Sequence, residues 1–164
     1  MMSWLLERLQ KYKDDRGMMA NLRCVLVDNK KHRAWPTLNR LGVKIDDETL
    51  AYVAGLFATH PVESSGGNFG DTCKRIEKKR GDKRTDDNKL TPTERRFQHL
   101  LTAEKGSELY ARILRMVLMA KSQGVPVNYS QLVTDLRFWS DRTKTQWATA
   151  FWAQGATPFS EEDL

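Results

Sequence analysis

The clearest helix start in the sequence lies in the stretch TPTERRFQHLL, residues 91–101. The Thr91 hydroxyl can cap a helix here, and Pro92 takes the first helical position, where no amide hydrogen is needed. Glu94 completes a capping box. The apolar face of this predicted helix consists of Phe97, Leu100 and Leu101. The stretch therefore predicts a helix that begins at residue 91 or 92 and packs one face inward.

Helical periodicity continues on both sides of this stretch. Apolar residues recur every three or four positions, and no Asn-Gly or Asp-Gly hairpin turn or sustained alternation of apolar and polar residues appears. The predicted helices cover about 4–12, 18–26, 36–41, 46–60, a segment ending near 80, 107–123, 129–139 and 141–152. The sequence therefore predicts an all-α fold.

Two changes in composition divide the chain. A loop at residues 63–68 is rich in Ser and Gly, and the segment 74–89 holds eight Lys or Arg residues against four Asp or Glu residues. Residues 81–90 are typical of a mobile linker. We therefore predict two small helical bundles joined by a basic linker: an N-terminal bundle (1–80), the linker (81–90), a C-terminal bundle (91–154) and a frayed acidic tail (155–164).

The overall charge favours an anionic partner. The 164 residues include 27 Lys and Arg against 21 Asp and Glu, a formal net charge of +6. Nucleic acid is one class of partner that such a balance favours. No apolar run approaches the roughly 18 residues of a membrane span, and the N-terminus carries charges too early for a signal peptide. We expect a cytoplasmic protein with no membrane partner, in which Cys24 and Cys73 are free thiols.

The sequence contains no recognisable motif of catalytic or metal-binding residues. The three histidines, at positions 32, 60 and 99, have no partner at the spacing of a zinc site. The paired aspartates at 14–15, 46–47 and 86–87 lie where helix caps or a solvated linker explain them. The glycine-rich loop at 66–70 lacks the Gly-Lys-Ser/Thr ending of a phosphate-binding loop. We therefore predict no enzyme, no cofactor and no metal site.

Basic residues at helical spacing are the remaining candidates for function. Lys74, Arg75 and Lys78 recur along one predicted helix, Arg95 and Arg96 open the next, and Arg112 and Arg115 lie three apart on the longest. Each can contact a phosphate and add to a salt-dependent, sequence-independent affinity, although each can equally belong to an ordinary solvated face. Phe69 can stack on a base, or it can pack inward beside the helix start.

The C-terminal part of the sequence resembles the CasB family, the small subunit of the type I-E CRISPR Cascade complex. The residues that carry the resemblance are Arg95-Arg96-Phe97-Gln98-His99-Leu100-Leu101, Gly124 to Tyr129, Leu132, Asp135-Leu136, Trp139, Gln146-Trp147-Ala148 and Phe151-Trp152. Weaker landmarks are Asp15-Arg16-Gly17, Leu22-Arg23, Arg33-Ala34-Trp35-Pro36 and Gly67-Asn68-Phe69-Gly70. The likeness spans about residues 4–152.

This resemblance implies an all-helical protein without catalytic activity. Two copies are expected to lie head to tail in the complex, beside the backbone and large subunits, the heteroduplex of guide RNA and target DNA, and the displaced DNA strand. The candidate nucleic-acid-binding residues are Arg23, Lys74, Arg75, Lys78, Arg95, Arg96, Arg112, Arg115, Arg142 and Lys144. Two alternatives remain: a helical DNA-binding transcription regulator, and a metal-dependent nuclease built on one of the aspartate pairs.

Overall fold

The structure, a computed structural model, describes residues 3–86 and 88–153. These residues form nine α-helices and two short 3₁₀ helices, and within them we find no β-strand. The α-helices are α1 (Ser3–Lys11), α2 (Arg16–Arg23), α3 (Trp35–Leu41), α4 (Glu48–Thr59), α5 (Phe69–Arg80), α6 (Pro92–Leu101), α7 (Ser107–Gln123), α8 (Tyr129–Arg137) and α9 (Asp141–Phe151). The 3₁₀ helices cover Cys24–Leu26 and Asp28–Ala34. The predicted all-α class is confirmed.

Polar side chains set most of the helix starts. Asp15 accepts a hydrogen bond from the Met18 amide at the start of α2, and Asp47 accepts one from the Leu50 amide at the start of α4. These caps satisfy amides that have no partner within the helix. Each of the first two aspartate pairs thus supplies one capping residue, as predicted, whereas Asp87 of the third pair lies outside the described residues.

The chain folds into two compact units that are not continuous in sequence. The first unit runs to Ser65 and includes Val127–Phe138, while the second comprises Gly66–Pro126 and the chain from Trp139 onwards. The first unit therefore contains α1 to α4 and α8, and the second contains α5, α6, α7 and α9.

The core of the first unit forms around α4. Ten of the twelve residues of this helix are buried, including Leu56 and Phe57. Tyr129 of α8 is fully buried against it, with ring centroids 5.6 Å apart between Phe57 and Tyr129. The Tyr129 hydroxyl donates to the carbonyl oxygen of His60 at 2.5 Å, which satisfies a backbone acceptor at the end of α4.

Aromatic side chains fill the core of the second unit. Phe69 of α5 is buried, and its ring centroid lies 5.2 Å from that of Trp147 on α9. The inward-packing interpretation of Phe69 is thus confirmed. Phe97 of α6 and Phe151 of α9 stack with centroids 4.4 Å apart and ring planes 11° apart. Together these contacts hold α5 and α6 against α9.

The limits of the two units differ from the predicted bundles, 1–80 and 91–154. Helix α5 packs with α9 in the second unit because Gly70, which lacks a Cβ, allows its backbone to approach Trp147 closely. Helix α8 packs with α4 in the first unit because Tyr129 inserts beside Phe57. The predicted linker, 81–90, belongs to the second unit and joins α5 to α6 within it. The predicted tail, 155–164, lies outside the described residues.

Both cysteines are free thiols, as predicted. Cys73 is fully buried on α5, and this burial raises its pKa well above the usual value for a thiol. In the described ranges, no helix combines the length and the apolar character that a membrane crossing requires.

Candidate nucleic-acid interface

The exposed face of α6 carries three cationic or titratable side chains. The capping box between Thr91 and Glu94 fixes the start of this helix, as predicted. Arg95, Arg96 and His99 are exposed, with His99 one turn after the two adjacent arginines, and with Pro92 they line an open recess of about 310 Å³. This face is therefore rigidly presented and positively charged.

Helix α7 extends the same face. The Arg96 guanidinium approaches the Met119 sulfur at 3.8 Å, which places it over α7. Arg115 is exposed and lies one turn before Met119 on that side of the helix. We call Pro92, Arg95, Arg96, His99 and Arg115 the α6–α7 surface. In the part of the chain that the structure describes, no carboxylate lies within ion-pair distance of its three arginines.

The Arg112 side chain is bonded to other residues of the second unit. Its guanidinium donates to the carbonyl oxygen of His99 at 2.6 Å and to the Thr102 hydroxyl at 2.9 Å, and it forms an ion pair with Glu108. The bond to His99 satisfies a carbonyl oxygen in the last turn of α6, and the bonds together join α6 to α7. Its side chain is 15% exposed, so Arg112 mainly holds the two helices together.

The candidates on α5 form a separate basic stretch of the same unit. Lys74 is half-buried, and its ammonium lies 3.4 Å from the carbonyl oxygen of Ala153, near the end of α9. Arg75 and Lys78 are exposed, three residues apart. They can therefore contact a phosphate backbone without breaking a bond inside the unit.

The candidates on α9 differ in exposure. Arg142 is exposed in the first turn of the helix, whereas the Lys144 ammonium lies 5.7 Å from the ring centroid of Trp139 in a cation–π contact. Trp139 in turn donates its indole hydrogen to the carbonyl oxygen of Ala103 at 2.9 Å. Lys144 thus has a local partner, and Arg142 faces solvent.

Arg23 belongs to the first unit and not to this group. Its guanidinium donates to the carbonyl oxygen of Ala58 at 3.0 Å, in the last turn of α4. A cation there satisfies a terminal carbonyl and opposes the negative end of the helix dipole. The structure therefore gathers nine of the ten candidates in the second unit and places Arg23 elsewhere.

The segment 81–90 is tied to α6 by contacts that the sequence did not indicate. Asp82 accepts hydrogen bonds from the amide and the hydroxyl of Thr93, and Arg84 forms an ion pair with Glu94. The exposed Lys83 and Lys89 lie in this segment. No local motif predicts these two pairs, because the partners lie ten or eleven residues apart in the sequence. In the sequence alone, Asp82 and Arg84 look like ordinary solvated charges. Asp82 and Arg84 therefore tether the predicted linker to α6 at two points.

The carboxylates beneath this connection have shifted pKa values. Burial raises the pKa of Glu94, but hydrogen bonds from the Thr91 amide, the Trp152 indole and Arg84 outweigh it and bring the pKa below its usual value. Burial also raises the pKa of Asp82, but the hydrogen bonds that Asp82 accepts from Thr93 and Arg80 outweigh burial and bring this pKa below its usual value. Burial raises the pKa of Glu77, and the neighbouring negative charges keep it high despite a hydrogen bond from Thr91. The fold therefore favours the ionised form of Glu94 and of Asp82, and it disfavours the ionised form of Glu77.

The second unit has an excess of positive charge. Residues 66–126 and 139–164 contain sixteen Lys and Arg against twelve Asp and Glu, four more basic residues than acidic ones. Among the described residues, no group of three or more His, Cys, Asp or Glu side chains could hold a metal ion. The chemistry that this unit offers to a ligand is therefore cationic: guanidinium and ammonium groups that can bind phosphates.

Solved structures of known proteins share this fold. A Cse2-family CRISPR-associated protein from Thermus thermophilus is 20% identical and has a TM-score of 0.70, with 92% of this chain and 94% of that chain covered. A second structure, of CasB from Thermus thermophilus, is also 20% identical over the same shares, with a TM-score of 0.68. CasB from M. ruber is 22% identical, with a TM-score of 0.62 over 90% of this chain and 92% of that chain.

Sequence comparison agrees with the likeness of the folds. No curated protein matches the chain. The family model described as CRISPR-associated protein Cse2 matches residues 18–152, a range that contains all ten candidate residues and both ends of the α6–α7 surface. The chain therefore belongs to the CRISPR-associated Cse2 family, also called CasB.

Proposed function

We propose that this protein is a non-catalytic small subunit of a type I-E Cascade complex that binds DNA and stabilises the R-loop. The observation that carries the proposal is the α6–α7 surface, where Arg95, Arg96 and Arg115 are exposed without a carboxylate partner in the described ranges. Membership of the Cse2 family supports the assignment to a CRISPR effector.

A guide-directed complex requires little sequence recognition from such a subunit. Base pairing between guide and target selects the sequence, so the protein needs only a cationic surface that follows a phosphate backbone. Guanidinium groups suit this task because each offers several donors in a plane that matches a phosphate. The recess between Arg95, Arg96 and His99 is open enough to admit a phosphate group.

The proposed partners follow from the same role. They are the backbone and large subunits of Cascade, the guide RNA–target DNA heteroduplex, the displaced single strand and a second copy of this chain, all in the cytoplasm. The exposed cations of α5 and α9, Arg75, Lys78 and Arg142, extend the proposed surface within the second unit.

A salt series on the purified full-length chain tests the DNA contact. We expect weak binding to single-stranded and duplex DNA that falls steeply as salt rises. Replacing Arg95, Arg96 and Arg115 with Ala removes three phosphate contacts, which lowers the slope of log K against log salt for single strands by about 2. A matched variant, with Lys11, Lys13 and Arg16 of the first unit replaced by Ala, loses the same charge and should retain most of the slope.

An unchanged slope in the Arg95, Arg96 and Arg115 variant would contradict the proposed surface. Footprinting provides a second comparison, because protection of one DNA sequence over others would favour a transcription regulator. Affinity purification from the host tests the assembly. The tagged protein should co-purify with a guide RNA and other Cascade subunits. Recovery of the tagged protein without these partners would contradict membership of the complex.

A further inference from the structure

The segment from Asp28 to Lys44 carries a local excess of positive charge within the first unit. It contains five basic residues, Lys30, Lys31, Arg33, Arg40 and Lys44, against the single acidic residue Asp28. All five basic residues are exposed. Asp28 neutralises Lys31 only weakly, since their atoms are 3.4 Å apart and the Asp28 side chain is 97% exposed.

The 3₁₀ helix at Asp28–Ala34 arranges these side chains in rows. Residues three apart eclipse one another in such a helix, so Lys30 lies beside Arg33 and His32 lies beside Trp35. The second pairing is observed directly, as the His32 and Trp35 rings meet edge to face with centroids 6.3 Å apart. Ala34, at the end of the 3₁₀ helix, is fully buried and faces the unit. Lys30, His32, Arg33 and Trp35 are all exposed, so this segment presents cations next to an aromatic ring.

Trp35 is an exposed aromatic residue beside these cations. It is 44% exposed, and its indole N–H makes no hydrogen bond to any residue that the structure describes. Trp139 and Trp152, by comparison, donate to the Ala103 carbonyl and to Glu94. Pro36 at the second position of α3 fixes the backbone beside the ring, so little conformational entropy is lost when a ligand stacks on it.

We propose that Lys30, Arg33 and Trp35 form a second binding surface, in the first unit, for single-stranded nucleic acid. The indole ring stacks on an unpaired base, and Lys30 and Arg33 contact neighbouring phosphates. A duplex hides its bases, so it can use the cations but not the ring. The residues of this surface belong to the first unit, whereas those of the α6–α7 surface belong to the second.

Photo-crosslinking with the full-length chain provides the direct test. A bromouridine-containing single strand of about 16 nucleotides, the upper range of single-strand sites, is irradiated with the protein and digested with trypsin. The nucleotide should appear on the peptide Ala34–Arg40, which trypsin releases by cutting after Arg33 and Arg40. The crosslink should persist when Arg95, Arg96 and Arg115 are replaced with Ala. Its absence from this peptide in the unaltered chain would overturn the proposal.

Affinity measurements separate stacking from charge. Trp35→Leu should weaken single-strand binding at least about fivefold and leave the salt slope unchanged, whereas Trp35→Phe should retain most of the affinity. Replacing Lys30 and Arg33 with Ala should lower the slope by about 1.4. The matched control replaces Lys13 and Arg16 with Ala and should have little effect.

Three outcomes would overturn the proposed surface. The first is equal binding of a single strand by Trp35→Leu and the unaltered chain. The second is an equal loss in the control variant with Lys13 and Arg16 replaced. The third is the same dependence on Trp35 for a duplex as for a single strand. DNA and RNA strands are compared in parallel, and a Trp35-dependent complex with either one supports the proposal. Failure of the Arg95, Arg96 and Arg115 variant to alter binding would contradict only the proposed α6–α7 surface.

Discussion

The indole nitrogen of Trp152 donates a hydrogen bond to Glu94 Oε2 at 2.8 Å and thereby joins the end of α9 to the first turn of α6. Glu94 is 2% exposed and also accepts hydrogen bonds from Arg84 and from the Thr91 amide. One carboxylate therefore caps a helix, anchors the 81–90 connection and fixes the last aromatic residue of the unit. The exposed cations of α6 depend on this group for their position.

Glu94→Gln should lower the free energy of unfolding by about 2–4 kcal/mol, because it removes the buried negative charge that accepts hydrogen bonds from Arg84, the Thr91 amide and Trp152. Urea denaturation followed by circular dichroism measures the change. Glu108→Gln is a matched control, as Glu108 also pairs with an arginine but its side chain is 59% exposed. It should cost no more than about 0.5 kcal/mol, and equal losses in both variants would contradict the central role of Glu94.

Glu94 and Glu77 should give opposite pH effects. Because the folded chain lowers the pKa of Glu94, its contribution is complete above the unfolded pKa of about 4.3 and is lost as the pH falls through the folded value. The raised pKa of Glu77 has the reverse sign: stability is complete below the unfolded value and is lost as the pH rises through the folded one.

The corresponding variant is Glu77→Gln, which should stabilise the protein at neutral pH and lose that advantage in acid. Thermal unfolding at a series of pH values between acid and neutral shows the crossover. A destabilised Glu77→Gln protein at neutral pH would mean that the hydrogen bond from Thr91 outweighs the cost of burying the charge.

Gly70→Ala should strongly destabilise the second unit. A Cβ at this position would lie 2.1 Å from the Trp147 carbonyl oxygen, so α5 and α9 would have to separate. We expect a loss of about 3 kcal/mol, the upper end of overpacking costs, in a denaturant titration. Gly66→Ala provides the comparison, since a Cβ there meets nothing within 4 Å, and it should be neutral or slightly stabilising. Similar effects of the two substitutions would argue against the close helix approach.

Arg112→Ala and Arg115→Ala should separate stability from binding. Loss of the Arg112 hydrogen bonds to His99 and Thr102 should cost about 2 kcal/mol of stability. Arg115→Ala should change stability by less than about 0.5 kcal/mol and should weaken DNA binding in low salt. Parallel denaturation and anisotropy measurements provide both quantities. A stable Arg112→Ala protein with impaired DNA binding would instead place Arg112 at the interface.

The elements of this fold could be predicted because their signals are local. The capping box at Thr91, the aspartate caps and the apolar periodicity of residues 107–123 each act within one or two turns of a helix. The partners of each helix could not be predicted in this way. Whether α5 packs against the first or the second bundle depends on a contact between Gly70 and Trp147, 77 positions apart, and no local pattern encodes such a pairing.

The same distinction applies to the candidate interface. The sequence correctly predicts that Arg95 and Arg96 lie near the start of an α-helix, and both residues are exposed. It does not distinguish Arg115, which is exposed, from Arg112, whose donors are directed to a carbonyl and a hydroxyl ten or more residues away. Charge can be counted from a sequence, but the exposure of a charge follows from tertiary packing. For the same reason, the exposed ring of Trp35 could not be distinguished from a core residue.

The discontinuity of the first unit has a consequence for synthesis. The ribosome produces Gly66–Pro126 before it produces α8, so the N-terminal helices must wait for Tyr129 to complete the core around Phe57. Closing contacts across that interval carries an entropic cost and slows folding relative to a bundle of neighbouring helices. A fragment that ends at Ser65 would expose the apolar face of α4. We therefore expect chaperones to bind the nascent N-terminal half until α8 has been synthesised.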